Sequence, residues 1–163
     1  MRNSPHVSAS RIRDVTFGRD VRVIEPVNLY ECTIADDCFI GPFVEITEGV
    51  SIGARTRIQS HSFICTLVTI GEDCFIGHGV MFINDLFEEG GPARGDRARW
   101  RPTVVADHVS IGSNATILPV HISAGCVIGA GAVVTRDLGV RGVYAGNPAR
   151  LLRPLPDRQA PSA

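Results

Sequence analysis

From Ile34 onward every sixth residue is isoleucine: Ile34, Ile40, Ile46, Ile52, Ile58, Ile64, Ile70 and Ile76, with Phe82 next in line. Four places after each isoleucine the side chain is small: Cys38, Val44, Val50, Thr56, Ser62, Val68, Cys74 and Val80. Phe17, Val23 and Leu29 keep the same beat earlier. Val105, Ile111, Ile117, Ile122, Ile128 and Val134 restore it later. Single-residue slips fall between Leu29 and Ile34 and between Ile117 and Ile122. A period of six is not helical, but it is a multiple of two, so a β-branched residue can point inward from each short strand. Glycine follows the isoleucine at Gly41, Gly53, Gly71 and Gly77, where a chain must turn tightly. Three such sides close a triangular coil of 18 residues. The hexads fill about six coils at ~4.8 Å spacing, a prism on the order of 29 Å tall. Short strands of a β-sandwich are the alternative, but loops of variable length would not hold one register for so long.

This pattern, covering about residues 15–135, resembles the hexapeptide-repeat family. The resemblance implies an all-β, left-handed parallel β-helix; general crossover statistics would favour the opposite hand. The chain then divides into an N-terminal segment (1–14), the β-helix (15–137) with a loop excursion at 83–103, and a C-terminal extension and tail (138–163). Residues 161–163 read as a frayed end.

Composition removes several function classes. All 16 bases are arginine, set against 17 acids for a net charge of −1. That balance gives no footprint for nucleic acid or an anionic membrane, and without lysine there is no Schiff-base chemistry. No apolar run approaches the roughly 20 residues of a membrane span. The opening MRNSPHVSAS lacks the apolar core of a secretory signal, so a cytoplasmic location is expected. Five cysteines without a CxxC pair indicate neither a disulfide framework nor a zinc ribbon. Cys38, Cys74 and Cys126 occupy the small slot, and Cys32 and Cys65 sit at corners or flanks, so all five read as packing residues.

The excursion INDLFEEGGPARGDRARWRPT (83–103) interrupts an otherwise compact repeat, and long excursions of that kind are usually functional. Arg94, Arg97, Arg99, Arg101 and the only tryptophan, Trp100, point to contact with a ligand or a neighbouring chain. Of the coil histidines His61, His78, His108 and His121, His78 stands apart because it lies six residues before Asn84, beside the excursion. Both take the second place after an inward residue. Stacking by 18 puts Ser60 beneath His78, with Ser113 the equivalent residue above. IGH ending at His78 also resembles γ-class carbonic anhydrases. That family carries a second histidine five residues on, where this chain has Ile83, so a three-histidine zinc site does not assemble and no metal is expected.

Two further segments, IGAGAVVTRD (128–137) and YAGNPAR (144–150), resemble the last coil and exit of hexapeptide acetyltransferases. The resemblance implies acetyl-CoA as co-substrate, its pantetheine arm lying against Gly129, Ala130 and Gly131. Arg136, Asn147 and Arg150 would then meet the coenzyme, with Arg141 a further arginine whose fork suits phosphate. IQSHSFI (58–64), GHGVMFIND (77–85) and ATILPVHI (115–122) are similar to N-acetyltransferases acting on nucleotide-linked (UDP or dTDP) 3-amino sugars, such as those of the UDP-2-acetamido-3-amino-2,3-dideoxyglucuronate type. This implies Asn84 and Asp85 at the amino-sugar site, with His61, Trp100 and Arg101 around the substrate. The chain departs from the motif at Leu86, Phe87 and Glu88. A neutral amine is a good nucleophile, so positioning supplies much of the rate. His78 is the candidate base, imidazole titrating near neutrality, although some relatives use the leaving thiolate as proton sink. Asp85 would favour a protonated amine and is a poor sole base. O-acetyl transfer to a sugar hydroxyl is the sister reading. The resemblance also implies a homotrimer with each site between two subunits.

Overall fold

A computed structural model describes residues 11–156. Within it the inward residues build a left-handed β-helix with three flat parallel faces. The first face stacks Ile12–Arg13, Asn28–Tyr30, Glu45–Ile46, Phe63–Ile64, Met81–Phe82, Thr116–Ile117 and Val133–Val134. The second stacks Thr16–Phe17, Thr33–Ile34, Ser51–Ile52, Val68–Ile70, Thr103–Val105 and His121–Ile122, with Leu138 bridging to Ile122 above them. The third runs from Arg22–Val23 through Phe39–Ile40, Arg57–Ile58, Phe75–Ile76, Ser110–Ile111 and Val127–Ile128 to Gly142–Ala145, and the antiparallel strand Arg150–Pro154 closes it. Among the described residues no helix is long and apolar enough to cross a membrane.

The isoleucine column is the core. Ile34, Ile40, Ile46, Ile58, Ile64 and Ile76 are fully buried, each directly over the next of its face, as in Ile40↔Ile58 and Ile58↔Ile76. Burial of one such side chain contributes roughly 1.5–3 kcal/mol. The small slot is equally well defined. Its polar members satisfy corner carbonyls of the coil above: Thr56 Oγ1 donates to Gly71 O and Ser62 Oγ to Gly77 O, both at 2.8 Å. Cys38, Cys74 and Cys126 fill the same slot, and all five cysteines are free and buried. Burial pushes the Cys32 and Cys65 thiols up to about 11, which suits packing rather than thiolate chemistry.

The stack holds seven coils, one more than hexad counting yields. Ile12 lies over Leu29 in the first face although only five residues separate it from Phe17. At the other end Leu138 follows Val134 after four. All the departures share one edge. We label the edge between third and first faces corner I, that between first and second corner II, and that between second and third corner III. At corners I and III every step between inward residues is six, as in Ile76 to Phe82 and Ile70 to Ile76. Corner II holds the steps of five and four, and the excursion as well. Among the described residues the first-coil strands pair on one side only, and Phe17, inward by register, is 39% exposed.

Candidate active site

Corner I stacks the residue two places past each third-face inward side chain: Ser60, His78, Ser113 and Ala130, continuing to Gly146. The neighbouring column reads Phe43, His61, Gly79, Asn114, Gly131 and Asn147. His61, His78, Gly129, Ala130, Gly131 and Asn147 therefore share one edge. His78 is exposed, and its Nδ1 lies 2.8 Å from Ser60 Oγ, the residue directly below. That contact engages one ring nitrogen and leaves Nε2 with no hydrogen bond among the described residues; which nitrogen carries the proton follows from whether Ser60 donates or accepts. Two coils up, on the order of 10 Å away, Gly129–Ala130–Gly131 presents nothing larger than a methyl group. Nothing approaches within 4 Å of where a Cβ on Gly131 would stand, and its φ of +67 keeps the corner bare. His61 stacks on Phe43 with ring centroids 4.8 Å apart. It thus belongs to the corner below His78 and not to the excursion.

Corner II carries the other set. Asn84 stands directly over Thr66, and its Nδ2 donates to Thr66 O at 3.1 Å. Thr66 Oγ1 in turn pairs with Thr47 Oγ1 at 3.0 Å. The Asn84 amide is thereby oriented while its Oδ1 takes no hydrogen bond among the described residues, so it is open to a donor such as an amine. Subtracting 18 from 84 would have found Thr66, which the sequence reading did not name. Arg136 stands on this same corner in the top coil, and Arg101 N donates to Asn84 O at 2.9 Å.

Asp85 has a different occupation. Its Oδ2 accepts from Ala93 N at 2.6 Å and its Oδ1 from Phe87 N at 3.0 Å. Those amide bonds hold its carboxyl below the usual range. Both oxygens brace the excursion, so Asp85 orders the loop beside Asn84. Three of the four loop arginines are likewise partnered within the chain, and Arg94 is exposed. Arg99 pairs with Glu89 at 3.3 Å, Arg101 with Glu88 at 3.1 Å, and Arg97 reaches down the corner to Glu48. Asp96 caps the short 3-10 turn Arg97–Arg99, and Trp100, half-buried, follows it with its N–H on Arg97 O. The acidic pair Glu88–Glu89 in the same loop was the available signal for these bonds. Arg150 lies on the closing hairpin and donates to Ala149 O at 3.1 Å. Among the described residues no three His, Cys, Asp or Glu side chains converge as a metal set.

Within one chain, His78 and Asn84 do not meet. They stand on the two edges that flank the first face, separated by the strand Met81–Phe82 and roughly 15–20 Å of chain.

Residues 31–66 match the bacterial transferase hexapeptide family (six repeats), and residues 67–81 and 102–136 match the hexapeptide repeat of succinyl-transferase. The gap between the matches, residues 82–101, takes in most of the excursion. The bifunctional protein GlmU of Thermotoga maritima is 31% identical over 138 residues, 79% of this chain and 30% of GlmU. That of Dichelobacter nodosus is 38% identical over 109 residues, 66% of this chain and 21% of GlmU. The chain thus spans about a third or less of the length of such curated relatives. Among solved structures, the hexapeptide-repeat acetyltransferase VCA0836 from Vibrio cholerae, complexed with acetyl coenzyme A, is 27% identical with a TM-score of 0.58, over 80% of this chain and 72% of that one. AntD, an N-acyltransferase from Bacillus cereus bound to dTDP and coenzyme A, shares the fold at 20% identity and a TM-score of 0.69, over 86% of this chain and 82% of that one.

Proposed function

The chain belongs to the hexapeptide-repeat transferases, and from that premise we propose that it moves an acetyl group from acetyl-CoA to the amino group of a nucleotide-linked (UDP or dTDP) 3-amino sugar. The observation that carries the reading is the open Oδ1 of Asn84, oriented by Thr66 beside a braced loop. It supplies an acceptor for one amine hydrogen and aims the nitrogen lone pair at the thioester. At the bare Gly129–Ala130–Gly131 corner, Gly129 N and Gly131 N already donate to Tyr144 O and Ser113 O, so Ala130 N is the amide left for the pantetheine arm or the developing oxyanion. The similarity to an acetyltransferase that binds acetyl coenzyme A supports that donor.

The reaction forms a C–N bond and breaks the C–S bond. The nitrogen loses its proton to outward-facing His78 or, once the thiolate has left, to sulfur. Because His78 and Asn84 occupy different edges, we place corner I of one chain opposite corner II of a neighbour in a closed homotrimer, with Trp100 and Arg101 flanking the cleft. Arg136, Asn147 and Arg150 face the coenzyme in this reading, and His61 lines the edge below. The pairing of His78 with Ser60 also suits a base for an alcohol, which needs one more than an amine does; O-acetyl transfer is therefore the second reading. Thiol release from acetyl-CoA against a panel of UDP- and dTDP-linked amino sugars and their hydroxyl counterparts tests both. Turnover with 3-amino sugars alone is the expected result, activity with hydroxyl sugars alone would select O-transfer, and no release with any of them would refute the proposal.

A further inference from the structure

Corner III carries one residue per coil at the third place after the inward side chain: Asp20, Asp37, Arg55, Asp73, His108, Gly125 and Arg141. From Asp37 to His108 acids and bases alternate. Arg55 Nε donates to Asp73 Oδ1 at 2.8 Å, and Asp73 Oδ2 lies 3.6 Å from His108 Nδ1. The next place, where a carboxylate would continue the series, is Gly125. Above it stands another cation, Arg141. Its side chain leans over the gap so closely that a Cβ on Gly125 would come within 2.4 Å of Arg141 Nε. Among the described residues, Arg141 Nε and Nη1 are the only buried side-chain nitrogens or oxygens with no hydrogen-bond partner. Charged donors left unmade are costly, so this arrangement asks for an acceptor. Beside them lies a cavity of about 450 Å³, which Asp73, His108, Ser110, Val127 and Leu155 also line.

We infer that this slot is an anion site, in which a phosphate-type oxyanion takes the place of the missing carboxylate between His108 and Arg141. A small rotation of the Arg141 side chain off Gly125 turns both donors into the cavity, and the planar fork matches paired oxygens better than a spherical ion. The Ser110 hydroxyl is a further donor within the lining. The nearby acids are already engaged: Asp73 with Arg55 and His108, and Asp107 Oδ1 with Glu72 N at 2.8 Å. The phosphate can arrive as a free ion or on the nucleotide end of the donor. The slot lies on the corner that bears neither His78 nor Asn84; as a site for a free ion it does not depend on the reaction proposed above, whereas as a site for the donor's phosphate it rests on that reading.

The test is calorimetric titration of the full chain with inorganic phosphate in chloride buffer, comparing wild type with Arg141→Met, which keeps the apolar stem. Saturable binding by wild type, weakened roughly tenfold or more in the variant, is the expected result. Phosphate should also raise the thermal midpoint of wild type alone. His108→Gln, expected to weaken phosphate less, serves as the second variant if Arg141→Met fails to fold. A parallel titration with CoA and 3′-dephospho-CoA separates the sources. If Arg141→Met erases a wild-type preference for CoA, the phosphate is the donor's; if both forms bind wild type and variant alike while inorganic phosphate binding is lost, it is a free ion. Absence of saturable binding at roughly 10 mM phosphate, with CoA affinity unchanged in the variant, would overturn the inference, because two charge-assisted bonds should do better. Phosphate binding that both substitutions leave intact would overturn it too.

Discussion

Corner I and corner II flank the same face and are built on opposite rules. Corner I never departs from a step of six, and its residues line up from Ser60 through His78 to Ala130 and Gly146. Corner II breaks step four ways, losing one residue at Phe17, Ile34 and Ile122 and two at Leu138, and it releases the excursion after Phe82. In the reading proposed above, corner I would carry a long extended ligand such as a pantetheine arm, which a straight, bare rail suits, and corner II one varied substituent, which a local cradle suits. Corner III keeps the same step of six and carries neither. The difference teaches that a repeat fold can assign regularity to one partner and irregularity to another without disturbing its core.

The sharpest way to break this comparison is to separate the two edges genetically. His78→Asn should lower turnover by roughly 10²–10⁴-fold if the imidazole is the base, and Asn84→Ala by about 10²-fold through lost positioning. Chains carrying one substitution each, unfolded and reassembled together in equal amounts, should recover about a quarter of wild-type turnover, since random mixing in a closed ring leaves that share of clefts intact. No recovery on mixing means that one chain supplies both edges, and the division of labour across subunits falls.

Stability offers the next contrast. A Cβ on Gly77, at corner I, would stand 2.7 Å from Ser113 N, whereas one on Gly91, in the excursion, would meet nothing within 4 Å. Gly77→Ala should cost about 1–3 kcal/mol and lower the thermal midpoint by roughly 2–4 °C for each of them. Gly91→Ala should leave the midpoint level or raise it slightly. Equal losses from the two substitutions would mean that the excursion is as tightly packed as the coil.

A smaller effect concerns acid. The Asp85 carboxyl titrates below its ordinary value because two loop amides bind its charged form. Its support for the loop is therefore complete above about pH 4, the ordinary aspartate range, and is lost as pH falls through the lower folded value. Amide exchange at Ala93 and Phe87 should quicken on that descent relative to neighbouring coil amides, after correction for the intrinsic rate. In Asp85→Ala the two amides should be fast at every pH. Smallest of all, Glu48→Gln removes an exposed partner of Arg97 and should move the midpoint by no more than a few degrees, as surface pairs usually do. A larger drop measured by calorimetry would make Arg97 a structural clamp.

Much of this was legible before any coordinates, for a physical reason. Ile34 to Ile76 sit in identical surroundings, so identical residues recur, and the 18-residue step places Ser60 under His78 by arithmetic alone. The seventh coil was hidden because corner II shortens at Phe17 and Leu138, which drops Ile12 and Tyr144 from the beat. The excursion was opaque for the opposite reason. Arg97 finds Glu48 and Asp85 finds Ala93 only through the path of an irregular loop, which has no period to extrapolate. Its arginines read as ligand contacts because Glu88 and Glu89, although they stand in the same stretch, follow no period that assigns them to Arg101 and Arg99, and Glu48 lies 49 residues from Arg97.

The two ends of the prism are also unlike. At one end the hairpin Gly142–Ala145 with Arg150–Pro154 continues the third face and buries Tyr144, whose hydroxyl donates to Val140 O at 2.6 Å. At the other, among the described residues, Phe17 is 39% exposed and the strands of the first coil have neighbours on one side only. In a solenoid each coil is held by the coils next to it, so loss of structure travels coil by coil from the weaker end. Among the described residues the Ile12 end is therefore the more weakly held, and loss of structure within them is expected to travel from it toward the excursion and then the glycine-rich exit.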